Sequence, residues 1–266
     1  VRNDVATEDY LRSVVGREVY TSWHEQALLA QAVTARTYLI YALGGRDHLS
    51  RADMAYHGVG EEHPATDDAV RQTAGIIITY GGRILPAYFQ STCGGHTMPV
   101  EDFTDRLMPM EPLKGVDCNY CAISPQYRWD TRVPAQQVAA GLRESGLLKV
   151  DRVHSLVPTG RGVDGYATEI VVNGADPVGA YAFRGAVNRA MGGAVLKSVN
   201  FEVEKTGDAF LFQGAGYGHG VGLCQWGAEG MARAGHHWTE IIAHYYPGAS
   251  LREVERIQNA EGRMQN

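Results

Sequence analysis

The sequence has no run of apolar residues that approaches membrane-spanning length, and no signal peptide is visible in it. It has no Lys/Arg cluster and a formal net charge of −6, which argues against nucleic acid as a partner. No internal repeat and no low-complexity linker divides it. Its glycine-rich segment lacks the lysine and the spacing of a phosphate loop. Targeting stays open, because the chain opens at Val1 only a few residues before its first helical pattern. What is there is 266 residues, 44% hydrophobic and 20% charged, enough for one large domain or two small ones with a real core. Aromatics are not dense, at 9%, while 32 glycines predict many turns and close backbone approaches.

The strongest helical pattern is Asp9 to Ala42, two amphipathic helices with a short break. In the first, Leu11, Val14, Val15 and Val19 recur at helical spacing, and Glu18 falls on the same stripe. A carboxyl on an apolar stripe loses hydration and tends to hold its proton near neutral pH, the state a general acid needs. The plain alternative is a glutamate that is exposed because the helix ends there. In the break, Ser22 followed three residues later by Glu25 matches a capping box, which gives Glu25 a structural task. The second helix runs to about Leu43 and stops at Gly44-Gly45. Leu29, Val33, Arg36 and Ile40 share one of its stripes, so Arg36 is a charge pointing inward. It reads either as a structural ion pair or as a group that positions a carboxylate or a substrate oxygen.

Residues 46 to 68 read as loop, and the scattered His48, His57 and His63 are assigned nothing. Ile76 to Tyr80, Gly81-Gly82 and Ile84 to Phe89 predict a hairpin. It delivers Gln90-Ser91-Thr92-Cys93-Gly94-Gly95-His96 past a strand end, where small hydroxyls such as Ser91 and Thr92 can bind sugar hydroxyls or merely form a turn. Further strands are predicted over Tyr127 to Val133, Val153 to Pro158, Tyr166 to Val172, Ser198 to Glu204 and Ala209 to Gln213. Helices are predicted over Pro134 to Leu142, Tyr181 to Met191 and Thr239 to Tyr246.

Four cysteines are present. Cys93 with His96, then Cys118 with Cys121, make two short-spaced pairs, which suit tetrahedral zinc. The competing reading is a Cys118–Cys121 disulfide that leaves Cys93 and Cys224 to find each other. Such a metal would anchor the long, weakly patterned stretch Thr97 to Pro125. Cys224 itself reads as a small buried filler before a helix. Around it, Gly214, Gly216, Gly218, Gly220 and Gly222 alternate with other residues, which lets another backbone or a polymer lie close. Tyr217, His219, Gln225 and Trp226 are the side chains on display there. Their aromatic faces can stack on sugars and their amide and imidazole groups can bind hydroxyls; a tightly packed glycine corner is the alternative.

These blocks together resemble the SpoIID/LytB family: Tyr10-Leu11 through Glu18 and Ala35-Arg36-Thr37-Tyr38, then Cys93-Gly94-Gly95-His96-Thr97, then Gly216 to Gly222 with Gln225-Trp226-Gly227-Ala228, and finally His244 to Gly248. The match spans nearly the whole chain in family order. Departures are Cys224, where the family often has Ser, and Val19-Tyr20, where many members read Met-Pro. The resemblance implies an extracytoplasmic peptidoglycan lytic transglycosylase. Such an enzyme cuts the β-1,4 bond between N-acetylmuramic acid and N-acetylglucosamine in glycan stripped of its peptides by a partner amidase, and leaves a 1,6-anhydro end. Glu18 takes the family's catalytic position and Arg36 its helix-two arginine, and some members carry a structural zinc. Glu18 would protonate the glycosidic oxygen and then accept the proton of the C6 hydroxyl as it closes on C1.

The expected architecture is α+β, a helical pair carrying Glu18 with antiparallel sheet and hairpins. It forms one family-like unit over residues 1 to 266, or two subdomains without a clean boundary. Membrane contact is expected only through an anchor outside this chain. Two other functions remain: a non-catalytic glycan-binding enhancer of an amidase, and a zinc amidase or peptidase, which would need an open metal site with three protein ligands.

Overall fold

The computed structural model describes residues 5–44, 54, 56, 58–175 and 177–254. His48 and His57 lie outside them. Helices alternate with small sheets whose three-stranded members are all built on antiparallel pairs, an α+β fold.

The chain divides into two compact units. The first takes residues 1–89, 110–113 and 225–266, and the second takes 90–109 and 114–224. In the first unit, α1 (Thr7–Glu18) is followed by α2 (Glu25–Leu43) and α3 (Pro64–Gln72). Then come strands β1 (Ile76–Tyr80) and β2 (Arg83–Ile84), and the exit is a two-residue strand β3 (Phe89–Gln90). The predicted second hairpin strand is cut to two residues, because Pro86 cannot donate to a ladder and the chain turns through Leu85 to Tyr88.

Helix α2 is buried nearly all round from Ala27 to Thr37, which its run of alanines allows. It packs with α1 and α3 around Leu11, Val14, Val15, Leu28, Leu29, Ala32, Leu39 and Val70. Each such Leu or Val contributes about 1.5–3 kcal/mol by leaving water. Gly16 lets α1 come this close: a Cβ there would lie 2.2 Å from the Glu61 carbonyl oxygen. The expected Ser22–Glu25 capping box does not form. The N-cap is His24, whose Nδ1 accepts from the Gln26 N–H at 3.2 Å, and Glu25 Oε1 instead accepts from Gln72. His63 likewise caps α3.

The second unit holds β4 (Arg128–Pro134), α4 (Ala135–Glu144), β5 (Leu156–Thr159), β6 (Glu169–Val172) and β7 (Val178–Gly179). After these come α5 (Ala180–Ala190), β8 (Phe201–Thr206), β9 (Ala209–Ala215) and β10 (Leu223–Cys224). Two three-stranded antiparallel sheets result, in orders β4-β9-β8 and β5-β6-β7. Register follows the predicted Thr206-Gly207-Asp208 turn, with Thr206 opposite Ala209 and Phe201 opposite Gly214. Phe183, Phe201, Phe210 and Phe212 fill the interior. Returning to the first unit, α6 (Gln225–Arg233) and α7 (Trp238–Tyr245) pack on α2, and β11 (Ser250–Glu253) pairs with β1 to complete the order β11-β1-β2. Among the described residues no helix is long and apolar enough to cross a membrane.

Candidate functional site

In the first unit, Glu18 is the last residue of α1 and is half-buried. The next residue turns extended, with φ −133° and ψ 162°, so the chain leaves the helix at the acid itself. Two residues on, Tyr20 is 59% exposed. Its ring lies 5.6 Å from that of Trp23 and 5.8 Å from that of Trp226, and the two indoles meet edge to face at 4.9 Å. The site candidate Trp226 is thus brought by α6 to the segment that follows Glu18. Glu229, one turn further along α6, fixes this arrangement. Its buried carboxylate accepts from the His24 N–H at 2.9 Å and from Arg233 Nε at 2.6 Å. Gln225, beside Trp226, is buried, and its Nε2 has no hydrogen-bond partner among the described residues.

Arg36 lies elsewhere in that unit. Its side chain is 0% exposed, and its fork grips Glu8 with Nε–Oε1 2.8 Å and Nη2–Oε2 2.7 Å. It also donates to Thr73 Oγ1 and to the carbonyls of Val70 and Ile76. Glu8 and Glu18 stand at opposite ends of α1, ten residues or about 15 Å apart. The expectation that Arg36 touches substrate or pairs with the acid finds no support in this placement. It is a bidentate structural pair, one of the two alternatives open in the sequence.

The second unit gathers its own candidates. Thr92 and Tyr217 pair through their backbones, with N–H···O distances of 3.0 and 2.7 Å. Thr92 is fully buried with its hydroxyl 2.8 Å from Ser124 Oγ, while Ser91 is half-buried and Tyr217 is 37% exposed. His219 stacks on Phe103 at 5.0 Å, and its Nδ1 accepts from the Val221 N–H. The alternating glycines do admit a close backbone, and it is the protein's own. At Gly216, with φ 78°, a Cβ would stand 2.5 Å from the Thr92 carbonyl oxygen.

The cysteines come together differently from the expected set. Cys93, Cys118, Cys121 and Cys224 are all buried and free, with their sulfurs within 4.8 Å of one another. Cys93 and Cys121 sulfurs are 3.7 Å apart, and the Cys93 N–H donates to Cys224 Sγ at 3.2 Å. Cys224 is therefore the fourth member, and His96 is not. His96 Nδ1 sits 2.5 Å from the Thr97 carbonyl and its Nε2 is 3.8 Å from Asp117. The turn at Gly94-Gly95 and the backbone bridge between His96 and Asp117 carry the imidazole away from the sulfurs. Burial pushes the thiols of Cys93 and Cys224 well above the ordinary range. Four buried thiols at this separation suit a metal ion, which would compensate the thiolates that burial alone disfavours.

His96 lines a cleft of about 710 Å³ with Arg128, Asp130, Asp164, Asn200 and Glu202. Asp164 is 5% exposed, and its Oδ2 lacks a hydrogen-bond partner among the described residues. Burial raises its pKa, an effect that the Tyr166 N–H and His96 oppose and Asp102 reinforces. Sequence reasoning missed Glu8, Glu229 and Asp164. Only Glu229 left a signal, an i,i+4 match with Arg233 three residues after Trp226.

Fold and sites define an α+β protein with an acid at a helix end in one unit and a buried cysteine cluster in the other. The chain belongs to the SpoIID/LytB family. The family model described as Stage II sporulation protein matches residues 1–80, and a Domain of unknown function (DUF8618) matches 106–222. An uncharacterized protein of Brachyspira hyodysenteriae is 30% identical over 97% of this chain and 69% of its own length. Stage II sporulation protein D of Bacillus subtilis is 27% identical over 96% of this chain and 77% of its own length. An amidase enhancer of Bacillus subtilis is 26% identical over 91% of this chain but 40% of its own length.

Proposed function

We propose that this chain is a lytic transglycosylase that cuts peptidoglycan glycan strands, with Glu18 as its acid and base. The coarser statement, a cell-wall-related function outside the cytoplasm, rests on family membership and on relatives named as a sporulation protein and an amidase enhancer. The finer one is carried by the placement of Glu18, half-buried at the C-terminal end of α1 next to the exposed Tyr20. A protonated Glu18 donates to the glycosidic oxygen, and its carboxylate then takes the proton of the C6 hydroxyl as that oxygen bonds to C1. One carboxyl suffices, because the sugar supplies its own tethered nucleophile, whereas ordinary glycosidases need a pair.

The cysteine cluster supports a structural zinc. A tetrahedron with Zn–S near 2.3 Å has sulfurs roughly 3.8 Å apart, close to the 3.7 Å between Cys93 and Cys121. Four buried sulfurs leave no open ligand position, which weighs against a zinc amidase or peptidase. The relative named amidase enhancer favours a second reading, in which the chain binds glycan and stimulates a partner amidase.

The experiment is incubation with purified denuded glycan strands. The wild-type chain should release 1,6-anhydro-muramyl products, and Glu18→Gln should lower release at least a hundredfold. Full activity in the glutamine variant removes the acid–base assignment. Absence of products from both, with amidase stimulation intact, selects the enhancer reading.

A further inference from the structure

Tyr20 is anomalous: a large aromatic side chain, 59% exposed, in the turn between α1 and α2, whose other large apolar residues, Val19 and Trp23, are buried. It is not loosely attached. The ring rests against Trp23 and Trp226, and Glu229 pins the same turn through the His24 N–H. An exposed aromatic fixed in place from two sides has lost its conformational freedom without gaining full burial, a pattern of ligand contact rather than of core packing. Its surroundings define the ligand. Exposed polar residues Ser22, His24 and Glu25 follow it, and Glu18 precedes it by two positions. A wholly apolar partner would strand those polar groups. A ring with a C–H face and a rim of hydroxyls satisfies both halves of the surface.

We propose that Tyr20, backed by Trp23 and Trp226, is a stacking platform for a pyranose ring of the glycan, one that sets where the chain lies relative to Glu18. This rests on the reading of the chain as a glycan-acting protein, but not on cleavage. Tyr20 is a positioning and specificity residue here, and the acid remains Glu18.

The test measures binding in a Glu18→Gln background, so that no cleavage intervenes. Two probes are used: a soluble β-1,4-linked N-acetylglucosamine hexamer, followed by intrinsic tryptophan fluorescence, and purified denuded glycan, followed by co-sedimentation. The Glu18→Gln protein should show a saturable fluorescence change. Adding Tyr20→Ala should weaken binding roughly three- to tenfold, the worth of one aromatic contact, and Tyr20→Phe should restore it. A folded Tyr20→Ala variant that binds both probes within twofold of its parent overturns the platform. So does self-association of the parent that disappears in Tyr20→Ala while neither probe binds, which would make the face a contact between copies. Products released by wild-type chain but not by Glu18→Gln would still uphold the catalytic reading in either case, so the two failures are told apart.

Discussion

Arg36 shows how a charge on a buried stripe is to be read. With its side chain fully buried, the guanidinium is held by both oxygens of Glu8, by Thr73 and by two carbonyls. Removing it leaves those acceptors without their donor. Glu8 keeps 35% exposure and can recover water, which places the loss near the lower end of buried pairs. Arg36→Ala should therefore cost about 3 kcal/mol in a urea titration, while product release per folded molecule changes less than twofold. A large activity loss in a fully folded variant would return Arg36 to the substrate. Asp164 carries the opposite lesson. Burial raises it above the ordinary 3.8, so the folded state holds its proton more tightly than the unfolded one. The stability this contributes is fully present below 3.8 and is lost as pH rises from there through the raised folded value. Asp164→Asn should flatten that fall when urea midpoints are compared across the acidic range. An unchanged slope would place the titration elsewhere.

At the level of elements, periodicity was a good guide wherever local rules decide. The stripe Leu11, Val14, Val15 on α1 and the turn that joins β8 to β9 were legible because their signals lie within a few residues. The cap of α2 was not: Ser22 and Glu25 were expected to bond each other, but the helix starts at Glu25 with His24 as its cap, whose Nδ1 accepts from the Gln26 N–H. Nor was the fourth cysteine. The spacing of Cys93 and His96 is as good for a metal as that of Cys118 and Cys121. The choice between His96 and Cys224 is made by β10, a two-residue strand that brings Cys224 from 131 positions away to the Cys93 amide. Such a contact has no local signature. It gives a discriminating prediction. His96→Ala should retain one bound metal per chain by elemental analysis, and Cys224→Ser should lose at least tenfold in affinity. The reverse outcome would restore the two-pair site.

Across the whole molecule, the chain enters the second unit after Phe89, returns briefly at residues 110–113, and comes back for good at Gln225. No linker marks these passages, because each falls inside packed structure, and so the sequence shows no boundary where the contacts show two units. The cysteines all lie in the second unit, on three separate stretches of chain near Cys93, near Cys118 with Cys121, and at Cys224. A metal bound there would tie segments that are distant in sequence and poor in regular structure, around Thr97 to Ser124. Its removal should act locally, since the helical core on α2 is built from Leu28, Leu29, Ala32 and Leu39 and uses none of these cysteines. Chelation under native conditions should therefore speed amide exchange in residues 93–97, 116–124 and 216–224 at least tenfold, while amides of α2 exchange as before. Uniform acceleration in both units would mean that the metal supports one cooperative fold. No change anywhere would mean that the four thiols hold the second unit without it.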